Sequence, residues 1–468
     1  MGLLVNSYDV FDLKYILTTS ENPDLSAKCV VKHLDLSDSD VPVGVGEPFP
    51  DYALRGGICA IPDFIGFALE AECQNVTLPY SDTGVEDVVA LLTESDRTDW
   101  WYIVVGGQTS LRVLVEEYPE AMKKIDTLMV MGGNWCGGYE PYPDVLAPTD
   151  ETNIACDPSA ANSVLNSEVV KFKNVYYTPV EAADEIGGTD YERFVASAVS
   201  GASPSATATL DFYKAWSTAG RADPSLLIHL EAMTYDPETQ STPQFDPCAI
   251  MVGIELLLLE ETCDTLSAMY DFEAVHFLEA GEGVSFPDSP RSGFSLYTGE
   301  DLGELPTDQC PMLTNFTFDP DETPEKEVPV KITLSYTSPE AKARFFANMA
   351  TRMAGGVVPT FVYFLLYDAK NDTMVEPIYD GSIISSPPCE VNIEAVIPCG
   401  TKDYVRIELL QNSTRIKKQR EGIYPYFLFG NRGSDVRSGT ISAGTYTLTA
   451  KTNDVKSPPI TFTLRECV

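Results

Sequence analysis

The sequence predicts an α/β domain with an open, mostly parallel sheet and flanking helices, followed by an all-β domain. Two apolar runs, Tyr102 to Val105 and Thr127 to Met131, are too short for helices, and each ends at a Gly pair, as fully buried parallel strands do. Between them, apolar residues recur at helical spacing among Glu and Lys, which predicts a crossover helix. From Val357 onward the hydrophobic period is two, which is typical of antiparallel strands.

Further strands and helices are predicted on both sides of this unit. The run from Leu13 to Thr18 predicts a strand, and Pro23 to Leu34 carries apolar residues at helical spacing. Val175 to Pro179 predicts another buried strand. Asp246 and the proline after it open an apolar helix by N-cap and N1 chemistry, and Val330 to Ser335 predicts a late strand.

An amphipathic helix is predicted to close the α/β domain. It begins at Ser338, within a Ser-Pro-Glu cap, and the Gly pair at Gly355 ends it. We therefore place the α/β domain at residues 1–355 and the all-β domain at residues 356–468.

The C-terminal pattern predicts an antiparallel β-sandwich of about 110 residues, without helices. Its predicted strands are Phe361 to Tyr367, Val391 to Ile397, Tyr404 to Leu410, Thr440 to Tyr446 and Ile460 to Leu464. The basic run from Arg415 to Arg420 alternates with apolar residues and is interpreted as the exposed face of a strand. Cys389 and Cys399 are one candidate disulfide pair, and Cys136 and Cys156 are another.

The composition argues against a nucleic acid polymer or a membrane as partner. The chain has 31 Lys and Arg against 70 Asp and Glu, a formal net charge of -39, and so acidic a protein repels phosphate backbones but not a neutral nucleoside. The charge is equally explained by solubility or by a salty medium. No apolar run reaches the roughly 18 residues that a membrane span needs.

Cysteines and glycosylation sequons together favour the secretory pathway or an extracellular location. The 11 cysteines include no C-x-x-C pair, and N-x-S/T sequons lie at Asn75, Asn315, Asn371 and Asn412. Met1 is not followed by the basic and apolar regions of a signal peptide, so the protein is either intracellular or begins upstream of this chain.

Polar residues follow the two central strands at their carboxyl ends. In open α/β sheets ligands bind outside those ends, so Gly106, Thr109, Gly132 and the segment Asp150 to Asn153 are predicted to face one crevice. The alternative is that the Gly pairs serve only as tight turns.

Several of these segments resemble the inosine-uridine preferring nucleoside hydrolases. VVGGQTSL resembles the family's G-P-L-T-N-L, and MVMGG followed by DETNIACDPSAA resembles M-G-G and A-E-F-N-x-x-x-D-P-x-A-A. ILTTSEN resembles I-T-T-V-A-G-N, and QFDPCAIMVGIELL resembles H-D-P-x-A-x-x-x-x-L. The segment from Tyr424 to Ala450 resembles immunoglobulin-like modules, which bind glycans or act as spacers.

The resemblance implies a calcium site and a ribose site. Thr109, through its carbonyl, and Asp246 match calcium ligands, although Asp246 is equally explained as a plain helix N-cap. Four residues match contacts to the ribose, with Asp144 one residue out of register: Asn22, Asp144, Glu151 and Asn153. Phe245 stands where many members carry a His that assists the leaving group, and no His of this chain falls on a matching motif.

The family's D-x-D-x-x-x-D-D-A motif, which supplies calcium ligands and the base for the attacking water, has no match in this sequence. The resemblance therefore implies a domain that lacks its first strand, and no catalytic residue is identified. An alignment that forces Asp9 and Asp12 onto the motif would delete a helix and a strand.

Two hypotheses follow. The first is a calcium-dependent nucleoside N-ribohydrolase that splits a nucleoside and water into base and ribose, impaired in this chain because the Asp cluster is absent. The second is a catalytically inactive secreted or surface protein that binds a ribosyl ligand, with a glycan-binding or spacer β-sandwich. The sequence leaves open whether either forms a homo-oligomer. A Rossmann dehydrogenase is excluded because no G-x-G-x-x-G follows a strand.

Overall fold

The computed structural model describes both predicted regions. The described residues are 7, 10–50, 73–133, 152–180, 182, 207, 214, 218, 245–258, 267–272, 274–277, 295–298, 330–336, 341–342, 345, 349, 352, 363–378, 381–396, 404–422, 425–432, 435–452, 457 and 459–467.

The first unit is a parallel strand pair with a helix between the strands. Strand β1 (Ile16–Ser20) pairs with β2 (Val43–Pro48), and helix α1 (Pro23–Leu36) connects them. The predicted helix is confirmed and runs two residues further, whereas the strand predicted from Leu13 begins only at Ile16. A disulfide from Cys29 in α1 to Cys73 fixes the helix to the chain that follows.

The central sheet of the α/β region has five strands among the described residues, in the order β3-β4-β5-β9-β6. Their bounds are β3 Trp100–Val104, β4 Ile125–Met131, β5 Asn174–Thr178, β6 Ser267–Phe272 and β9 Val330–Tyr336. Strands β3, β4, β5 and β9 are parallel, and only β6 at the edge runs antiparallel. The predicted mostly parallel sheet is therefore confirmed.

Helices cover both faces of this sheet. Their bounds are α2 Gly84–Glu94, α3 Thr109–Glu117, α4 Pro119–Met122, α5 Thr152–Ala155, α6 Pro158–Leu165 and α7 Phe245–Leu258. Side chains alternate along each strand, so Leu128 and Val130 of β4 pack on the face with α2, α3 and α6, whereas Met129 packs on the face with α7. A hairpin of β7 (Ala274–Phe277) and β8 (Ser295–Thr298) lies outside the sheet.

The C-terminal region is a pair of β-sheets with one apolar core between them. One sheet has the order β11-β10-β13-β16 and the other β12-β20-β19-β14-β15, and every pairing is antiparallel except β12 with β20. The bounds are β10 Tyr363–Asp368, β11 Thr373–Ile378, β12 Ile383–Ile384, β13 Val391–Val396, β14 Val405–Gln411, β15 Thr414–Glu421, β16 Tyr426–Phe427, β19 Gly444–Lys451 and β20 Ile460–Leu464. A short pair, β17 (Asn431–Arg432) and β18 (Asp435–Val436), completes the region.

Two predictions for this region need correction. Cys389 forms a disulfide with Cys467, so the candidate pair with Cys399 is wrong. The predicted strand from Thr440 to Tyr446 is displaced, because the strand begins at Gly444, where the backbone has a φ of 153°.

The C-terminal region packs against the α/β region through apolar side chains. Leu365 of β10 and Val396 of β13 share one buried cluster with Met251 and Ile254 of α7. Such a contact holds the first sheet of the C-terminal region on the α7 side of the central sheet. No helix among the described residues is long and apolar enough to cross a membrane.

His33 makes the stability of the α/β region depend on pH. It lies in the last turn of α1 and is buried, and burial lowers its pKa to about 4. In the unfolded chain a His titrates near pH ~6.5. The unfolded chain therefore takes up the proton first, and stability is lost as the pH falls from ~6.5 towards the folded pKa.

We expect wild-type protein to lose on the order of 2 kcal/mol more stability than His33→Gln between about pH 7 and about pH 4.5. Urea denaturation followed by circular dichroism at several pH values measures the difference. Parallel pH curves for the two proteins would show that His33 is not protonated on unfolding.

Candidate active site

The carboxyl ends of β4 and β5 are hydrogen-bonded to each other beyond the sheet. The Gly132 amide donates to the Thr178 carbonyl at 3.1 Å, and the Val180 amide donates to the Gly133 carbonyl at 3.1 Å. Gly133 has a φ of 83°, a left-handed conformation that a glycine adopts without strain. This conformation lies at the sheet edge where ligands are predicted to bind.

Thr109 is buried at the first turn of α3, directly after β3. Its Oγ1 donates to Asp157 Oδ2 at 2.8 Å. Asp157 Oδ1 accepts from the Ala160 amide and from Ser159 Oγ, and Arg112 Nη1 lies 3.7 Å away. The side chain of Thr109 therefore has a structural partner.

Asn153 lies in α5, one helix turn before Asp157. Its Nδ2 donates to the carbonyl of Met131 at 3.2 Å, at the carboxyl end of β4. This bond holds the start of α5 at the carboxyl end of β4.

Asn22 follows β1 at its carboxyl end. Its exposed side chain accepts the Leu25 amide at 3.1 Å and so caps α1. At Gly106, after β3, an added Cβ would lie 3.4 Å from Thr19 Cγ2, so the ends of β1 and β3 are in contact. Asn22 thus stands near the β3 end, and its Oδ1 already has a structural role.

Asp246 lies in the first turn of α7. Its neighbour Phe245 packs with Met131, Val180 and Val105, which places this helix end beside the carboxyl ends of β3, β4 and β5. Burial raises the pKa of the Asp246 carboxyl to about 6. Asp246 is half-buried, and a partly desolvated carboxylate is stabilised by a nearby cation.

A family model described as inosine-uridine preferring nucleoside hydrolase matches residues 1–337. The chain belongs to this family. The pyrimidine-specific ribonucleoside hydrolase RihA of Enterobacter sp. (strain 638) is 30% identical over 161 residues, which are 33% of this chain and 48% of that protein. RihA of Escherichia coli O1:K1 / APEC is 29% identical over 168 residues, 34% of this chain and 50% of that protein. The chain spans about half the length of these curated relatives.

Solved structures of nucleoside hydrolases align with most of the chain at low identity. The plant nucleoside hydrolase PpNRh1 is 16% identical with a TM-score of 0.48, over 75% of this chain and 93% of that one. The purine-preferring ribonucleoside hydrolase from Gardnerella vaginalis is 18% identical with a TM-score of 0.46, over 76% and 93%.

Of the residues that match the family's motifs, Asn153 and the helix end with Asp246 lie at the carboxyl ends of the central strands, and Thr109 follows β3. Asn22 follows β1, which belongs to the separate two-stranded sheet. Glu151 and Asp144 lie outside the described residues. Cys156 is disulfide-bonded, to a cysteine that also lies outside them.

Two polar side chains at this edge were not found by sequence reasoning. Gln108 is buried and donates from Nε2 to Tyr177 Oη at 3.2 Å, yet its Oε1 has no hydrogen-bond partner, and neither has the buried Oγ1 of Thr178. Buried polar atoms are nearly always paired in proteins, so these two indicate a polar ligand or water. The only signal in the sequence was their position after a strand end.

The described residues of this nucleoside hydrolase do not complete a calcium site. The Thr109 carbonyl and the Asp246 carboxylate are hard oxygen ligands of the kind that calcium prefers, but calcium takes roughly six to eight. Among the described residues no three His, Cys, Asp or Glu side chains cluster in a way that could hold a metal. These two oxygens are of the type that calcium prefers, but they are too few to form a calcium site.

We expect Thr109→Val to destabilise the protein by roughly 1 to 3 kcal/mol, because the buried Asp157 carboxylate loses a hydrogen-bond donor. Thr98→Val, at an exposed threonine, makes the same chemical change and should alter stability by less than about 0.5 kcal/mol. Denaturant unfolding of the two variants measures both values. Equal stabilities would show that the Thr109 hydrogen bond does not hold the site together.

Proposed function

We propose that this chain hydrolyses the N-glycosidic bond of nucleosides, converting a nucleoside and water into base and ribose. The proposal is supported by the carboxyl ends of β3, β4 and β5, where Asn153 is bonded, Phe245 beside Asp246 packs, and two buried polar atoms lack partners. A neutral, hydroxyl-rich ligand would satisfy those atoms without repulsion from the acidic protein.

Calcium is the proposed metal, bound by the Thr109 carbonyl and Asp246. The raised pKa of Asp246 supports this role, because a cation would compensate the partly desolvated charge. When bound, calcium would orient the two hydroxyls of the ribose and a water molecule.

Amide and carboxylate side chains are the proposed contacts to the ribose. They are Asn22 and Asn153 among the described residues, and Glu151 and Asp144 outside them. The Nδ2 of Asn153 is used by the Met131 carbonyl and Oδ1 of Asn22 by the Leu25 amide. A ribose would therefore meet the Nδ2 of Asn22.

Activity is proposed to be impaired in this chain, because no residue of the D-x-D-x-x-x-D-D-A motif is present to serve as base. In the described residues β1 pairs only with β2, and β3 pairs only with β4. Each strand therefore has an edge at which a further parallel strand would find backbone hydrogen bonds. The missing motif also favours the alternative, an inactive protein that only binds a ribosyl ligand.

The proposal extends to two domains, 1–355 and 356–468, the second an immunoglobulin-like β-sandwich, and to a secreted or extracellular protein. Two facts support the secretory route. Disulfides join Cys29 with Cys73 and Cys389 with Cys467, and the sequon residues Asn75, Asn371 and Asn412 are all exposed.

The test compares this chain with a chimera that carries, at its amino end, a strand and helix bearing D-x-D-x-x-x-D-D-A from a RihA relative. Release of reducing sugar from inosine and from uridine is followed with calcium and with a chelator. We expect turnover only by the chimera and only with calcium, because the motif supplies the base and the remaining metal ligands.

Two matched variants of the chimera control for charge. Asp246→Asn should abolish most of the turnover, whereas Asp96→Asn, at an exposed aspartate, should leave the rate unchanged. Equal activity of this chain and the chimera would contradict the proposed impairment. Binding of inosine by both proteins with turnover by neither would favour the alternative function.

A further inference from the structure

The outer face of the sheet β12-β20-β19-β14-β15 is mostly polar, with Ile383 of β12 as an exposed apolar residue. Side chains alternate along these strands, so Ile407 and Leu409 of β14 and Leu448 of β19 point into the core. The intervening residues, Arg406 on β14 and Lys451 on β19, are exposed on the other side.

Three cations form one row across this face. Arg406 lies directly opposite Lys451 on one neighbouring strand and opposite Arg420 on the other. All three side chains are exposed, and in the part of the chain that the structure describes none has a carboxylate within ion-pair distance. Like charges directly opposite each other on a sheet are destabilising, which makes this row unusual in a chain with a net charge of -39.

The neighbouring acidic residue does not neutralise the row. Glu408 lies one row further along and is paired with Arg415 and with Lys418. Arg420 has a different partner, because its guanidinium lies 3.4 Å from the centre of the Tyr404 ring. This stacking holds the cation at the surface without cancelling its charge.

Threonine hydroxyls lie beside the row on the same face. Thr445 and Thr447 of β19 lie opposite Thr463 and Thr461 of β20, and Thr449 lies opposite Glu408. Thr445 Oγ1 and Thr463 Oγ1 are 3.0 Å apart. The face therefore combines a line of cations with rows of hydroxyls.

We propose that this face binds an acidic polysaccharide that carries a carboxylate on successive sugar units. Neighbouring strands are about 4.8 Å apart, so the three cations are evenly spaced along a line perpendicular to the strands. Such a line matches regularly repeated anions, and the threonines match sugar hydroxyls. At physiological salt, charges are screened beyond roughly 8 Å, so the local row outweighs the distant acidic surface.

Polygalacturonate is the probe for this proposal, titrated into the full chain by isothermal calorimetry at several salt concentrations. We expect the affinity to fall as the salt concentration rises. The double variant Arg406→Gln with Arg420→Gln should bind roughly tenfold more weakly, because two exposed ion pairs are lost. Lys171→Gln combined with Lys370→Gln removes the same charge from exposed lysines elsewhere and should change the affinity by less than about twofold.

Four results would overturn the proposal. One is no binding of polygalacturonate by the wild-type chain, and another is an equal loss of affinity in both double variants. The third is equally tight binding of fully methyl-esterified polygalacturonate, which keeps the hydroxyls but lacks the charge. Tighter binding of single-stranded DNA than of polygalacturonate would likewise assign the face to a different polyanion. Circular dichroism of both double variants confirms that the sandwich remains folded.

Discussion

The candidate site depends on the hydrogen bonds to the buried carboxylate of Asp157. A charge removed from water is tolerated only when hydrogen bonds replace its hydration. Asp157 receives them from the Thr109 hydroxyl, the Ser159 hydroxyl and the Ala160 amide, with Arg112 close by. The carboxylate therefore ties the start of α3 to the start of α6.

The same link also fixes segments that carry the residues proposed to bind the ligand. The loop from Gly106 to Thr109 is fixed from one side, and Asn153, one helix turn before Asp157, is fixed from the other through the Met131 carbonyl. The helix end with Asp246 reaches the same edge by apolar packing of Phe245. One hydrogen-bonded carboxylate and one apolar cluster thus fix distant parts of the chain. A site at the carboxyl edge of a parallel sheet is built from such distant parts.

Local patterns in the sequence were sufficient to predict the helices and strands, but insufficient to predict the contacts between them. The run from Thr127 to Met131 predicts β4 because burial on both faces leaves an unbroken apolar stretch. Asp157 caps α6, but its bond to Thr109 joins residues 48 positions apart, and no local pattern encodes such a pair. The partner of Cys389 was missed for the same reason, since Cys467 lies 78 residues away.

The candidate site residues show the same division. The positions of Thr109 and Gly132 could be predicted from the ends of the strands, because parallel strands place their carboxyl ends together. The strand ends did not predict that Asn22 uses its Oδ1 to cap α1, or that Gln108 and Thr178 leave buried atoms without partners at the edge. Those properties depend on the distances between side chains from separate elements.

The most direct test is hydrogen exchange of the full chain, followed by mass spectrometry with saturating calcium and inosine. We predict slower amide exchange in the segments 20–25, 105–112, 152–158 and 245–250, and unchanged amide exchange in the strands of the C-terminal sandwich. Protection confined to any one of these segments, or found mainly outside them, would contradict the claim that they form a single ribose and metal site.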